Sequence, residues 1–406
     1  MGNIVGSPAR GDDFFDREEL VELVWDSLAA GNNILLAAPR RFGKTSLMYH
    51  LLDYPRPGWR PIHVDAESIR EPVNFVIALL DALMADQHVR NFLVSAWKRA
   101  GRWFRDLLDH VELSTPWDVD VKIKLKERIA AHWQEKGEEL LRTVRGYGKE
   151  EYLLILIDEL PVMLNLFRDN GVSDAEARAF LYWFRKLRTD PVVGLTDCRF
   201  LVGGSIGIEG YLSQLLATDS FNDFERISLP ELPPERAAEF VRRLLESRGV
   251  RLSTVSCRKI LDLLGAPIPY FVQVFVDEIG MAKAGGLKRI GPTQVEDIYH
   301  RQVLDASKKN YFQHYYDRLA HYPKIEEQAA KGMLKELALA QPRAVTRDQL
   351  RTIYRKIAGE SANDDTFSRL TANLENDFYI RYRAEDGGFV FASKILCDWW
   401  RRYYAF

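Results

Sequence analysis

Cysteine is scarce in this chain: Cys198, Cys257 and Cys397 are the only three among 406 residues. They are isolated, odd in number and without C-x-x-C spacing or histidine partners, which argues against a disulfide framework and against a zinc site. A reducing, cytoplasmic setting is the expectation. Long apolar runs are missing too. Runs such as 153–157 fall far short of the roughly 20 residues a membrane helix needs, and the N-terminus lacks a basic-then-apolar leader pattern. Neither membrane insertion nor export is expected. An excess of one charge is also absent. A formal net charge of −2 gives no broad attraction to polyanions, so any nucleic-acid contact must come from a local patch. Without repeats or low-complexity tracts, what remains is an ordinary globular composition, 47% hydrophobic and 28% charged. The length suits two or three domains.

Against that background one stretch carries chemistry. Ala38-Pro39-Arg40-Arg41-Phe42-Gly43-Lys44-Thr45 follows the apolar run 34–37 and precedes an apolar-periodic segment beginning at Ser46. Strand, glycine-containing loop and helix in that order make a phosphate cradle. Gly43 lets backbone N–H groups close around phosphate oxygens, the Lys44 ammonium reaches the β- and γ-phosphates, and the Thr45 hydroxyl can ligate Mg²⁺. The helix that follows aims its positive end at the same phosphates. The pattern departs from G-x-x-x-x-G-K-[ST] at its first position, where Ala38 replaces a glycine and would resist positive φ. Arg40 and Arg41 either add positive potential or face solvent.

The periodicities predict an α/β N-terminal region followed by helices. Asp16 is expected to cap a helix over 17–29 with Leu20, Leu23, Val24 and Leu28 on one face. Strands are expected at 33–37 and 61–66, a helix at 72–83, and a half-exposed strand at 119–125 from its alternating pattern. A helix over 127–144 leads to the continuously apolar run 152–157, the expected centre of a parallel sheet. After a helix over 175–188 come strands at 200–205 and 226–229. From Pro234 onward helices are expected at 235–248, 256–264, 269–284 and 293–304, the last capped by Thr293. The final unit reads as helices over 325–340, 347–358 and 365–376, then a hairpin turning at Asp386-Gly387-Gly388, then a helix. Three helices and a hairpin suggest a winged helix-turn-helix. The expected domains are 1–232, 233–322 and 323–406.

Asp158 and Glu159 end the central strand, where one carboxylate can hold a hydrated Mg²⁺ and the next can polarise an attacking water. The plain alternative is that they stop a strand and cap the next helix. The strand carrying Asp158 could lie side by side with the one before the phosphate loop. Ser205, after Gly203-Gly204, either hydrogen-bonds the water or γ-phosphate, or serves a turn that needs small residues. Arg226 could reach a neighbouring copy's γ-phosphate as an arginine finger, or lie solvated. His63, Asp65 and Glu67 alternate on one strand face and could form a metal trio, or a polar strand end. Trp97, Trp103, Trp117 and Trp133 read as core, with a partner-packing embellishment as the alternative. The tail from Trp399 to Tyr404 reads as docking back onto the chain itself.

The succession APRRFGKTSL, LLILIDELP and FLVGGS, followed by a helical unit with Leu264-Gly265-Ala266-Pro267 and a winged helix, resembles the archaeal-type ATPases of the AAA+ and STAND superfamilies. The likeness spans nearly the whole chain. Phe15-Asp16-Arg17-Glu18-Glu19-Leu20 is similar to that family's N-terminal segment, which leads into a helix leaning on the adenine. The resemblance implies a five-stranded parallel sheet of order 5-1-4-3-2, a helical lid, ATP with Mg²⁺, and nucleotide-dependent self-association or partner binding. On matching positions it implies that Lys44 and Thr45 bind phosphate and metal and that Asp158 holds metal. Glu159 would be the base, Ser205 a sensor, and the turn ending at Pro267 a border of the base. No arginine adjoins Pro267 as the lid sensor of many AAA+ enzymes, so slow turnover is expected.

Three functions follow as expectations: Mg²⁺-dependent ATP hydrolysis, a nucleotide-gated switch acting on a winged-helix interaction module, and an ATP-regulated DNA-binding protein. A non-hydrolysing, nucleotide-dependent scaffold is a further alternative. On the presumed recognition helix, Phe367, Leu370 and Leu374 form the buried stripe, leaving Ser368, Arg369, Thr371, Asn373 and Glu375 for a partner. Arg381 and Arg383 could meet phosphates, but Glu375, Asp377, Glu385 and Asp386 oppose them. Protein contact is therefore favoured over DNA for this unit.

Overall fold

The computed structural model describes residues 2–99, 117–147, 151–190, 197–204 and 208–405. Trp103 and Ser205 lie outside the described residues, as does the side chain of Trp97. The chain divides into two compact units, one comprising 17–37 and 44–228, the other 1–16, 38–43 and 229–406.

The first unit is built on a five-stranded parallel sheet: β1 (Asn33–Ala37), β2 (Trp59–Asp65), β3 (Tyr152–Asp158), β4 (Cys198–Gly204) and β5 (Phe224–Ser228) in the order β2-β3-β4-β1-β5. Read from the other edge, this is the expected order 5-1-4-3-2. β3 is buried from Leu153 to Asp158, as a strand covered on both faces must be. Between β1 and β2, helix α2 (Lys44–Asp53) packs on the sheet through Leu47, Met48 and Leu51. An aromatic core forms beyond the sheet around Phe75, Phe180, Trp183 and Phe184, with Trp133 half-buried against Phe180 and Trp183. Trp117 is buried in the same core.

Three local expectations are corrected. Residues 119–125 form part of a helix, Val119–Ile129, because Asp118 caps it by accepting from the Val121 N–H at 2.9 Å, and Leu125 and Ile129 bury one turn apart. The alternating Val119 and Ile123 that suggested a strand are both exposed. Helix α1 (Glu18–Ala29) starts after Arg17 without a side-chain cap, because Asp16 sits at φ 55° and its carboxylate engages Arg236 instead. Its face is Val21, Val24, Trp25 and Leu28, and Leu23 is exposed. β3 does not adjoin β1; β4 lies between them.

In the second unit, helices Pro234–Ser247, Thr254–Leu264, Pro269–Ala284 and Pro292–Ile298 follow one another. The last is entered at Gly291 rather than capped by Thr293, and Gln294 reaches back to the Gly291 N–H at 3.0 Å. Past a helix at Asn310–Arg318 come helices Lys324–Ala340, Arg347–Ala358 and Asp364–Asn376. A small antiparallel sheet of β6 (Val345–Thr346), β8 (Gly388–Phe391) and β7 (Ile380–Arg383) and a helix, Lys394–Tyr404, complete the unit. This order of helices and strands is that of a winged helix-turn-helix. Thr346 and Gln349 form a capping box, and Asn363 accepts from the N–H groups of Asp365 and Thr366. Trp399 and Trp400 are buried, and Arg401 donates to the Ala338 carbonyl at 2.8 Å. The tail thus docks on its own chain. Among the described residues, no helix is long and apolar enough to cross a membrane.

Candidate nucleotide site

Lys44 and Thr45 open α2 directly behind Gly43, whose φ of 100° only glycine adopts without strain. Ala38, in contrast, is not among the positive-φ positions, so the missing first glycine imposes no backbone strain; Arg41 takes the left-handed turn instead, at φ 73°. Ala38 and Pro39 are buried. Lys44 is 5% exposed and Ser46 is also buried, while Gly43 and Thr45 beside and between them are half-buried.

The carboxylate that meets this helix comes from β3. Thr45 Oγ1 donates to Asp158 Oδ2 at 2.6 Å, and the Glu159 N–H donates to Asp158 Oδ1 at 3.0 Å. Because β4 separates β3 from β1, this meeting passes over β4 at Gly203. A Cβ at Gly203 would sit 2.8 Å from Asp158 Oδ1 and 2.4 Å from Met48 Cε. The missing side chain is therefore what brings the hydroxyl and the carboxylate together. Burial pushes the Asp158 carboxyl above the usual range. The Thr45 hydrogen bond pulls it back, Glu159 pushes it up again, and Lys44 and His63 lower it.

Glu159 occupies the N-cap position of the helix Leu160–Asp169 in the left-handed region, φ 55°, and its side chain makes no cap hydrogen bond. A non-glycine residue held there costs about 1–3 kcal/mol and marks a position whose surroundings fix it. Glu159 thus starts the helix by its backbone position and not by a side-chain cap.

Other candidates are placed differently. Arg226 is exposed on the edge strand β5, in register with Leu35 of β1. Pro267 belongs to the second unit, next to Gly265, which at φ 73° passes so close to Lys394 that a Cβ would lie 2.6 Å from its backbone nitrogen. His63 packs against Tyr49 with ring centroids 5.0 Å apart and the planes tilted by 38°, and Asp65 accepts from the Glu67 N–H at 2.9 Å. Among the described residues, no group of three or more His, Cys, Asp or Glu residues could hold a metal, so the metal trio is not formed. On the helix Asp364–Asn376, Thr371 is buried and donates to the Phe367 carbonyl at 2.8 Å, which removes it from the exposed face. Arg369 bonds Glu326 at 2.8 Å, and Arg383 engages Asp386. Gly203 was legible in the sequence only as one of two strand-ending glycines; its role appears once β4 is seen to separate the two halves of the site.

No protein-family model and no curated protein matches the chain. Among solved structures it resembles the Walker-type ATPase of Pyrococcus abyssi, with a TM-score of 0.64 and 16% identity over 99% of this chain and 100% of that one. Weaker likenesses are the Aeropyrum pernix ORC2 protein in its ADP form, with a TM-score of 0.47 and 12% identity over 94% and 92% of the two chains, and a Thermotoga maritima RuvB variant, at 0.43 and 12% over 95% and 94%. With the sheet order and the loop-to-helix geometry above, the fold is that of a P-loop ATPase carrying helical and winged-helix regions after its sheet.

Proposed function

We propose that this chain binds ATP with Mg²⁺, hydrolyses it slowly, and uses the bound nucleotide as a switch on its winged-helix module. The observation that carries the reading is the 2.6 Å Thr45–Asp158 hydrogen bond across Gly203, with Lys44 buried at the same helix start. A hydroxyl and a carboxylate are the hard oxygen donors that suit Mg²⁺, an ion that keeps several waters and bridges protein to phosphate. Thr45 and Asp158 would hold it, and when bound it neutralises phosphate charge.

The chain's own groups do the rest. Lys44 and the backbone N–H groups of 40–45 hold the phosphate tail, with the α2 N-terminus contributing its partial positive charge. Glu159 orients the attacking water and accepts its proton as the water oxygen bonds to the γ-phosphorus. The bond to the β,γ-bridging oxygen breaks, giving ADP and phosphate. Ser205 is assigned as a contact to the γ-phosphate, Arg226 as a finger toward a second copy, and Pro267 as a border of the base. The domains proposed are the ATPase core 1–232, the lid and connector 233–322 and the winged helix 323–406, in a cytoplasmic protein.

For the winged helix, a protein surface is favoured over DNA. The engagement of Arg369 by Glu326 and of Arg383 by Asp386 draws these two cations away from phosphates. The test of the catalytic assignment is Glu159→Gln: ATP affinity within about twofold of native, and phosphate release reduced by about 10²-fold or more. Unchanged release would remove Glu159 from the base role.

A further inference from the structure

The phosphate loop 38–43 falls in the same compact unit as the winged helix, and two of its side chains are held there. Phe42 is 3% exposed and meets the edge of Phe378, ring centroids 4.9 Å apart at 77°. The Arg41 guanidinium lies over Tyr270, 4.2 Å from the ring centroid. Both contacts reach a loop with two left-handed residues, Arg41 at 73° and Gly43 at 100°. Such a turn keeps its shape only when its surroundings over-determine it.

The other side of the clasp is built with similar constraint. Phe378 sits at φ 63°, an outlier for an aromatic residue. Its neighbours are pinned: Asp377 accepts from Arg318 at 2.9 Å and from Tyr322 at 2.8 Å, and the Tyr379 hydroxyl donates to the Tyr315 carbonyl at 2.6 Å. Phe378 itself is only half-buried, so core filling does not explain the strain. Its ring is spent on Phe42.

We propose that Phe378 and Tyr270 are positioning residues for the nucleotide: through Phe42 and Arg41 they clasp the phosphate loop in the shape that receives a triphosphate. This rests on the ATP reading above and adds its regulation. Whatever draws the winged helix off the loop weakens ATP binding, and ATP by the same factor favours the clasped arrangement.

The test uses the full chain and Phe378→Gly, which removes the ring while relieving the left-handed backbone, so that loss of folding does not confuse the result. Backbone amide exchange over 38–43 is measured without nucleotide, and ATP affinity and steady-state hydrolysis with Mg²⁺. The expected result is faster exchange across the loop, an ATP Kd and KM raised about three- to tenfold, and an unchanged kcat, in keeping with the worth of an aromatic pair. Tyr270→Leu should act in the same direction, and Phe42→Ala combined with Phe378→Gly should be no worse than Phe42→Ala alone. Unchanged loop exchange in Phe378→Gly, or fully additive effects, would overturn the clasp. A native chain that binds no ATP would sink the nucleotide reading instead; the exchange measurement, made without ATP, judges the contact separately.

Discussion

Gly203→Ala should separate metal-assisted nucleotide binding from everything else the first unit does. No positive φ is recorded at Gly203, so alanine fits the backbone; the obstacle is space, with a Cβ 2.4 Å from Met48 Cε and 2.8 Å from Asp158 Oδ1. Met48 Cε is the end of a flexible side chain and can swing away. The Asp158 carboxylate cannot yield easily, because Thr45 and the Glu159 N–H hold its two oxygens at 2.6 and 3.0 Å. Overpacking of this size costs about 1–3 kcal/mol, partly offset by about 0.4–1 kcal/mol from the smaller entropy of the unfolded chain. The net loss should be roughly 1–2 kcal/mol, read as a lower urea midpoint with unchanged slope. Displacing the carboxylate from Thr45 should weaken ATP binding in Mg²⁺ by about 10–100-fold, the range seen when groups supporting a metal are disturbed. Titration calorimetry with Mg²⁺ and with EDTA checks this: native affinity should depend on the metal, and the variant should bind weakly in both. Adding Met48→Ala should recover none of the metal dependence. A Gly203→Ala chain whose ATP affinity retains its native response to Mg²⁺ would refute the claim that this glycine makes the site.

Two predictions concern stability. His314 is half-buried, its Nε2 is enclosed with no hydrogen-bond partner among the described residues, and desolvation, then Arg41, Arg40 and Arg318, push its pKa down to about 3. The folded chain keeps it neutral while the unfolded chain protonates it below about 6.5, so its contribution is intact above that pH and lost as pH falls; by pH 5 the loss should be about 2 kcal/mol. Denaturation at pH 7 and pH 5 should show that loss reduced in His314→Phe, and an identical pH dependence would refute the assignment. Arg188 has a fully buried side chain paired with Asp223 at 2.7 Å and bonded to the carbonyls of Phe184 and Ser220. Arg188→Ala should cost about 3–5 kcal/mol by stranding Asp223, and Arg188→Met with Asp223→Asn should recover much of it; no recovery would mean that the charge pair is not the cause.

The phosphate loop could be read directly because its chemistry is local: Gly43, Lys44 and Thr45 are contiguous, and the strand before them and helix after them differ in period. Asp158 stands out as a site candidate only with Lys44 and Thr45 upstream, since two acids also suit an ordinary strand end. Gly203 could not, since its importance comes from a strand order that brings residues 45 and 158 over residue 203. The 119–125 segment misled because a helix whose apolar residues point both inward and outward imitates a strand's alternation over seven residues, and the deciding signal was the single cap residue Asp118. Thr371 lies off the Phe367, Leu370 and Leu374 stripe and so reads as exposed, whereas it is buried and bonds back to the Phe367 carbonyl. β6 was too short, at two residues, to leave a pattern. Phe378 and Tyr270 carry no motif at all. Their contacts with Phe42 and Arg41 join residues more than two hundred positions apart.

The central claim is that Lys44, Thr45 and Asp158 together hold a triphosphate and its divalent ion. It is tested most directly by the ATP dissociation constant of the native chain and of Lys44→Ala, each measured in Mg²⁺ and in EDTA. Saturable native binding that weakens in EDTA and disappears in Lys44→Ala is the predicted result. Equal binding by both chains, or none by the native chain, would contradict it.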